Sequence, residues 1–245
     1  DPNIAMKPQD GSFNFQFNDI KIELRVAALP TAQEEMISLR LFNPNKEAET
    51  LNSLGFSNKK VSIIKHMVQQ KNGLILSVGT TGSGKSTTLY TILKQLSDQH
   101  VITLEDPIEQ IIPNIHQTAL NENQGYTFDI GLKAILRHNP DVIVIGEIRD
   151  QKTAEIALNA AYTGHLVIAS LHTNSIEATL LRLENLGCSS FLISYCLRGI
   201  ISQSLEQNKN KIELKSTLLL CESPYIVNNI KKELQEFIKQ NILIQ

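Results

Sequence analysis

Eight consecutive residues, Gly79-Thr80-Thr81-Gly82-Ser83-Gly84-Lys85-Ser86, have the spacing GxxxxGK(S/T). The chemistry that pattern can do is to hold phosphates. Glycines let backbone N–H groups curl inward as an anion cradle, and a helix that follows aims the positive end of its dipole at the same point. Lys85 then supplies a point charge between the β- and γ-phosphates, and the Ser86 hydroxyl is a ligand for Mg²⁺. Thr80, Thr81, Ser83 and Thr87 complete the candidate nucleotide-binding set. Three of the chain's twelve glycines fall within six positions here, between the apolar run Leu74 to Val78 and the helical pattern Thr87 to Leu96. An incidental glycine-rich turn would not need that strand-loop-helix setting.

Such a loop must be carried by a sheet, and the sequence offers one. Leu74 to Val78, Val101 to Leu104, Val142 to Ile145 and Leu166 to Leu171 are short, rich in β-branched residues and apolar on both faces, which predicts buried parallel strands. Helical patterns with readable ends lie between them, one from near Asp150 to Gly164 and one capped by Ser175 and closed at Gly187. Strand-helix alternation of this kind predicts an α/β domain with helices on both faces of the sheet.

In open parallel sheets ligands bind beyond the carboxyl ends of the strands, so position nominates further candidates. The runs end in Glu105-Asp106-Pro107, in Gly146-Glu147 and in His172-Thr173-Asn174. One carboxylate can polarise an attacking water, another can hold the metal through its waters, and the histidine can sense the γ-phosphate. Singly, each is an ordinary solvated strand end; together at the mouth of the loop they are a candidate site. Gly146 occupies the place where an aspartate usually binds the metal, which leaves Mg²⁺ to Ser86, phosphate oxygens and water, with Glu105, Asp106 or Glu147 behind them.

The amino-terminal part differs. Phe13, Phe15 and Phe17 alternate, Ile20, Ile22, Leu24 and Val26 follow, and after a turn at Pro30 comes a second run, Met36 to Phe42, so a small β-rich piece is expected. Seventeen lysines stand against six arginines, two of which, Arg25 and Arg40, fall in this piece. They could serve as arginine fingers, although composition alone favours ordinary surface charges. Asn43-Pro44-Asn45 and the polar stretch after it read as a linker. A Lys/Asn-rich link follows Gln207, then a strand Ser216 to Cys221 and an amphipathic helix from about Asn228.

Composition narrows the classes. The net charge of −2 and a sequence pI near 6.3 give no global attraction to nucleic acid, and no direct nucleic-acid partner is expected. No apolar run approaches the ~18 residues of a spanning helix. Cys188, Cys196 and Cys221 are odd in number and form no CxxC pair, so they read as buried small hydrophobes in a reducing compartment. The opening Asp1-Pro2 and the lack of a signal-like segment suggest a fragment of a longer cytoplasmic protein.

Taken together, QDG at Gln9 to Gly11, LRVAALPT at Leu24 to Thr31, SLRLF at Ser38 to Phe42, GTTGSGKSTTLY, ITLEDPIE at Ile102 to Glu109, LKAILRHNPDVIVIGEIRD at Leu132 to Asp150 and TGHLVIASLHTNS at Thr163 to Ser175 resemble the secretion ATPase family. More narrowly they resemble the type II secretion, type IV pilus assembly and competence pseudopilus ATPases. The resemblance implies an Asp box at ITLEDPIE, with Glu105 catalytic and Asp106 at the nucleotide. It also implies an atypical Walker B at IVIGEIRD, with Glu147 as catalytic glutamate, and a His box with His165 and His172. A glycine at position 146 is normal in the family, and Arg25 and Arg40 fall on its arginine-finger positions.

The implied architecture is a partial α+β domain over 1–45, a linker over 46–58, a RecA-like P-loop ATPase domain over 59–207, and a short carboxyl-terminal appendage over 208–245 without a zinc module. The implied state is a homohexamer that uses ATP and Mg²⁺ and moves an inner-membrane platform protein, working on the cytoplasmic face of the bacterial inner membrane without entering it. Departures concern contacts more than phosphate chemistry. The family's GERVV is Glu34-Glu35-Met36-Ile37-Ser38 here, and its QRLVR is Gln203-Ser204-Leu205-Glu206-Gln207. The alternatives are a type IV secretion traffic ATPase, a pilus-retraction ATPase, or a ring subunit that binds nucleotide without turning it over. The arginine-rich lid usual in a P-loop small-molecule kinase has no counterpart in these six sparse arginines, and neither NKxD nor LSGGQ is present.

Overall fold

Alternating apolar residues at the start of the chain build strands with two unlike faces. β1 (Gln9–Phe17), β2 (Ile20–Pro30) and β3 (Glu35–Phe42) form an antiparallel sheet in the order β1-β2-β3. Leu24 pairs with Leu41 and Val26 with Leu39, whereas Arg25 lies directly opposite Arg40. The period of two therefore puts both arginines on one face and the aliphatic residues on the other. The computed structural model describes residues 7–17, 20–42, 50–208, 211–222, 227 and 229–244, and the chain divides into units 1–48 and 49–245. The Asn43-Pro44-Asn45 break, residues 46–49 of the expected linker, and Asn228 lie outside the described residues.

In the second unit α1 (Asn58–Val68) leads to β4 (Gly73–Val78) and α2 (Lys85–Leu93). β5 (Val101–Glu105), β6 (His116–Ala119), α3 (Phe128–Ile135), β7 (Val142–Ile145), α4 (Gln151–Tyr162) and β8 (Leu166–Leu171) follow. The chain continues through α5 (Ile176–Asn185), α6 (Ser190–Cys196), β9 (Leu197–Asn208), β10 (Lys211–Leu220), α7 (Ile230–Gln240) and β11 (Ile242–Ile244). The caps act as their residue types require: Asp150 accepts from Thr153 N at the head of α4, and Ser175 from Ala178 N at the head of α5.

One eight-stranded sheet, ordered β11-β10-β9-β4-β8-β7-β5-β6, runs through this unit. The six strands from β9 to β6 are mutually parallel, and β10 and β11 are antiparallel additions. Along β4, Leu74, Leu76 and Val78 pack into the layer shared with α3 to α7, while Ile75 packs into the layer shared with α1 and α2. β4 and β8, covered in this way on both faces, are buried at every position. Among the described residues no helix is long and apolar enough to cross a membrane. All three cysteines are free and buried.

Three segments depart from the sequence expectation. The polar stretch taken as the end of a linker carries Leu51 and Phe56, each 2% exposed in the core beneath α1; two apolar residues five apart match neither template period, so only tertiary packing shows their role. The strand expected at Ser216 begins at Lys211, because its outer half pairs with β9 in a ten-residue ladder while carrying the alternating polar sequence of an exposed ribbon. The expected appendage contributes β10, β11 and the fully buried Phe237 to the same sheet and core.

Replacing Leu51 by alanine would leave a cavity in a packed layer, for which leucine truncations cost about 2–5 kcal/mol. Chemical denaturation of Leu51→Ala should lower the stability of the second unit by that order. A surface linker would show a change of no more than ~0.5 kcal/mol.

Candidate functional site

The six parallel strands all end on one side of the sheet, and the strand order decides which ends are neighbours. β4, β8, β7 and β5 are adjacent in that order, so the glycine loop after β4, His172 after β8, Glu147 after β7 and Glu105 at the end of β5 form a row. At ~4.8 Å per strand, Glu147 is about 10 Å and Glu105 about 14 Å along the sheet from the loop strand.

The loop is shaped by two close approaches. A Cβ on Gly79 would lie 2.3 Å from both the Gln203 carbonyl oxygen and Ser83 Oγ, so only glycine passes there. Gly84 caps α2 in the left-handed region at φ 88° and supplies no side chain to the cap, which leaves the first-turn N–H groups directed at the loop. Ser83 N donates to Thr80 O at 3.2 Å, and Ser83 Oγ is buried without a partner among the described residues, a spare donor beside the cradle. Thr80, Thr81, Gly82, Ser86 and Thr87 are exposed along the rim.

Lys85 is only 8% exposed. Its ammonium donates to Gly79 O at 2.8 Å and Thr80 O at 3.0 Å. Burial lowers its pKa, and the carboxylates of Glu147 and Glu109 oppose that shift. The Lys85 ammonium held at the loop, the spare Ser83 hydroxyl and the first-turn N–H groups of α2 are donors of the kind that a polyphosphate takes, so the cradle fits one. Among the described residues no three His, Cys, Asp or Glu side chains gather to hold a metal. A divalent cation here would take the Ser86 hydroxyl and phosphate oxygens.

Opposite the loop, Glu147 is held from two sides. Arg149 Nε donates to Glu147 Oε2 at 2.9 Å, and His172 Nε2 lies 3.4 Å from Glu147 Oε1. The same guanidinium donates through Nη1 to Asp106 Oδ2 at 2.9 Å, so one arginine ties the carboxylates after β7 and β5 together. Its own pKa is raised, chiefly by Glu147. Gly146 lets these strands close up: a Cβ there would meet the Glu105 Cα and the Leu104 oxygen at 3.3 Å. The turn is pinned on its other side, where Ser170 Oγ donates to Gly146 O and Ile148 N to Ser170 O at 2.9 Å.

Glu105, expected among the catalytic groups, points inward. It is 6% exposed and accepts from Tyr90 and Thr103, and from Gln117 Nε2 at 3.0 Å. His165, expected at the nucleotide, stands at the opposite end of β8, where Gly73 N donates to its carbonyl at 3.1 Å. The six residues of β8 put it about 20 Å from the loop's side of the sheet. Arg25 and Arg40 belong to the first unit, side by side on β2 and β3.

Sequence reasoning missed three residues that meet the others here. Arg149 is two positions after Glu147 in the block that carried it, and only the fold reveals that it reaches Asp106 as well. The negative charge of Glu109 opposes the lowering of the Lys85 pKa. Gln203, from β9, donates to Ser83 O at 2.8 Å; a single polar residue near a strand end carries no local signal.

The chain is similar to known proteins in sequence and in fold. A family model described as "Type II/IV secretion system protein" matches residues 4–232. The type II secretion system ATPase E of Vibrio cholerae is 38% identical over 99% of this chain and 47% of its own length. The type IV pilus assembly ATPase PilB of Thermus thermophilus is 43% identical over 83% of this chain and 23% of its own. Among solved structures, the pilus retraction motor PilT with bound ADP superposes with a TM-score of 0.77 at 31% identity, covering 94% of this chain and 69% of that one. The fold is that of the RecA-like secretion ATPases. The chain spans less than half the length of the first curated relatives it matches.

Because Gly79 admits no Cβ, Gly79→Ala should weaken ADP binding by at least about tenfold, roughly 1.4 kcal/mol, while leaving secondary structure intact. Fluorescent-ADP titration beside circular dichroism checks this; unchanged affinity would mean that the loop can relax around a methyl group.

Proposed function

This chain belongs to the type II/IV secretion system protein family, and on that footing we propose that it is the ATP-hydrolysing part of a motor for type II secretion or for type IV pilus or competence pseudopilus assembly. The observation that carries the reading is the row of strand ends that sets Glu147, held by Arg149 and facing His172, across from a glycine-lined loop with a buried lysine. The assembly branch is favoured by 38% and 43% identity to the two curated relatives, against 31% to the retraction motor.

In this mechanism the N–H groups of residues 79–86 and the Lys85 ammonium grip the β- and γ-phosphates of ATP. Mg²⁺, when bound through the Ser86 hydroxyl, supplies positive charge to the phosphate oxygens. Glu147 takes the proton from the attacking water, its carboxylate held in place by Arg149 and acting on the charge of Lys85. His172 follows β8, the strand between β7 and the loop strand, and there senses the γ-phosphate through the contact it makes with the base. Arg25 and Arg40, on one face of a separate unit, are offered as a pair of arginine fingers to phosphates at a subunit boundary of a homohexamer.

The motor's work is movement of an inner-membrane platform protein, done from the cytoplasmic face of the bacterial inner membrane through partners and without direct contact with nucleic acid. A ring subunit that binds nucleotide but does not turn it over is the non-enzymatic alternative, and steady-state phosphate release separates the two.

Lys85→Ala should abolish turnover and weaken ATP binding with the fold intact. Glu147→Gln keeps the shape and removes the base. ATP should bind it within about threefold of wild type while hydrolysis falls ~10² or more. Wild-type turnover in Lys85→Ala would remove the phosphate-loop assignment, and in Glu147→Gln it would remove the base.

A further inference from the structure

We propose that Tyr90 and Glu105 are positioning residues for hydrolysis: the buried Glu105 carboxylate is the anchor that docks the loop between β5 and β6 onto the phosphate-loop helix, through the Tyr90 hydroxyl. The inference rests on the ATP-hydrolysis reading above. Tyr90 is one and a half turns beyond Lys85 on α2, and its hydroxyl works in both directions. It donates to Glu105 Oε2 and accepts from Glu109 N at 3.0 Å. Burial and the adjacent carboxylate push its phenol pKa up, so the proton stays available for donation. The other Glu105 oxygen accepts from Thr103 and from Gln117 Nε2 at 3.0 Å. Gln117 in turn donates to Gln110 O at 2.9 Å and accepts from Ile112 N at 2.6 Å.

Every contact in this network either fixes Glu105 or fixes backbone of the 106–115 loop. A carboxylate surrounded by three donors, and about three strands from the phosphate loop, is not placed to take a proton from water. It is placed to hold the chain that follows it. That chain carries Asp106, bound by Arg149, and Glu109, whose charge acts on Lys85. Displacing the loop by an ångström would misalign groups at the site while the cradle itself keeps its shape, and misplacement on that scale lowers rates far more than affinities. Buried networks of this kind are also strongly coupled, so removing one partner forfeits much of what the others do.

The test uses the 245-residue chain and its Tyr90→Phe, Glu105→Gln and doubly substituted forms. Hydrogen exchange without nucleotide reads the docking directly: the Glu109 and Ile112 amides should exchange at least about tenfold faster in Tyr90→Phe than in wild type. With ATP and Mg²⁺, kcat should fall by about tenfold or more while KM stays within about threefold, and the double form should be no slower than the slower single one. Unchanged exchange at those amides in Tyr90→Phe overturns the proposal whether or not the chain hydrolyses ATP. So does a wild-type kcat in Tyr90→Phe beside a dead Glu105→Gln, which would make Glu105 the base, and so do additive losses in the double form. A wild-type chain without turnover would count against the ATPase reading, and the exchange measurement would still decide the docking.

Discussion

Strands buried on both faces leave a charged side chain nowhere to go but the ends, and this single constraint organises the second unit. β4, β7 and β8 offer no solvent-facing position along their length, and an unpaired charge inside would cost several kcal/mol. Function is therefore confined to the turns. Parallel pairing then brings the turns after four different strands to one side, which no antiparallel meander of the same residues would do.

Charge within that row is balanced locally. The carboxylates of Glu147 and Asp106 share one guanidinium. With their side chains between a fifth and two-fifths exposed, the pairs are partly screened, and their worth lies in geometry more than in stability. Arginine suits the task because its planar fork can meet two acceptors at once, whereas a lysine would serve as a single point charge. Lys85 is governed differently: burial lowers its pKa, and the two nearby glutamates oppose that shift without cancelling it.

Much of this was legible in the residues. The glycine loop, the four central strands and the caps Asp150 and Ser175 follow from local rules, because each depends on neighbours within a few positions. That Glu147 and His172 lie together follows from one further step, that strand ends congregate. What stayed hidden depends on distant partners. Leu51 and Phe56 look like loop residues until α1 covers them, and β10 looks polar because its outer half is largely an exposed ribbon paired with β9. Glu105 and Asp106 are adjacent in sequence, yet a strand's alternation sends one inward to Tyr90 and the other outward to Arg149. His165 carried the opposite error, since a motif that spans a whole strand necessarily has members at both of its ends.

The three buried thiols have a consequence of a different kind. Burial raises Cys188 and Cys196 to about 11 and Cys221 to about 12, so at neutral pH the reactive thiolate is on the order of one part in ten thousand or less. They sit in the layer between the sheet and α4 to α7, where reagents arrive only when that layer parts. The protein thus behaves toward alkylating probes as though it had no cysteine until it opens, and the rate at which its thiols are modified is a built-in clock for the opening of that half of the core.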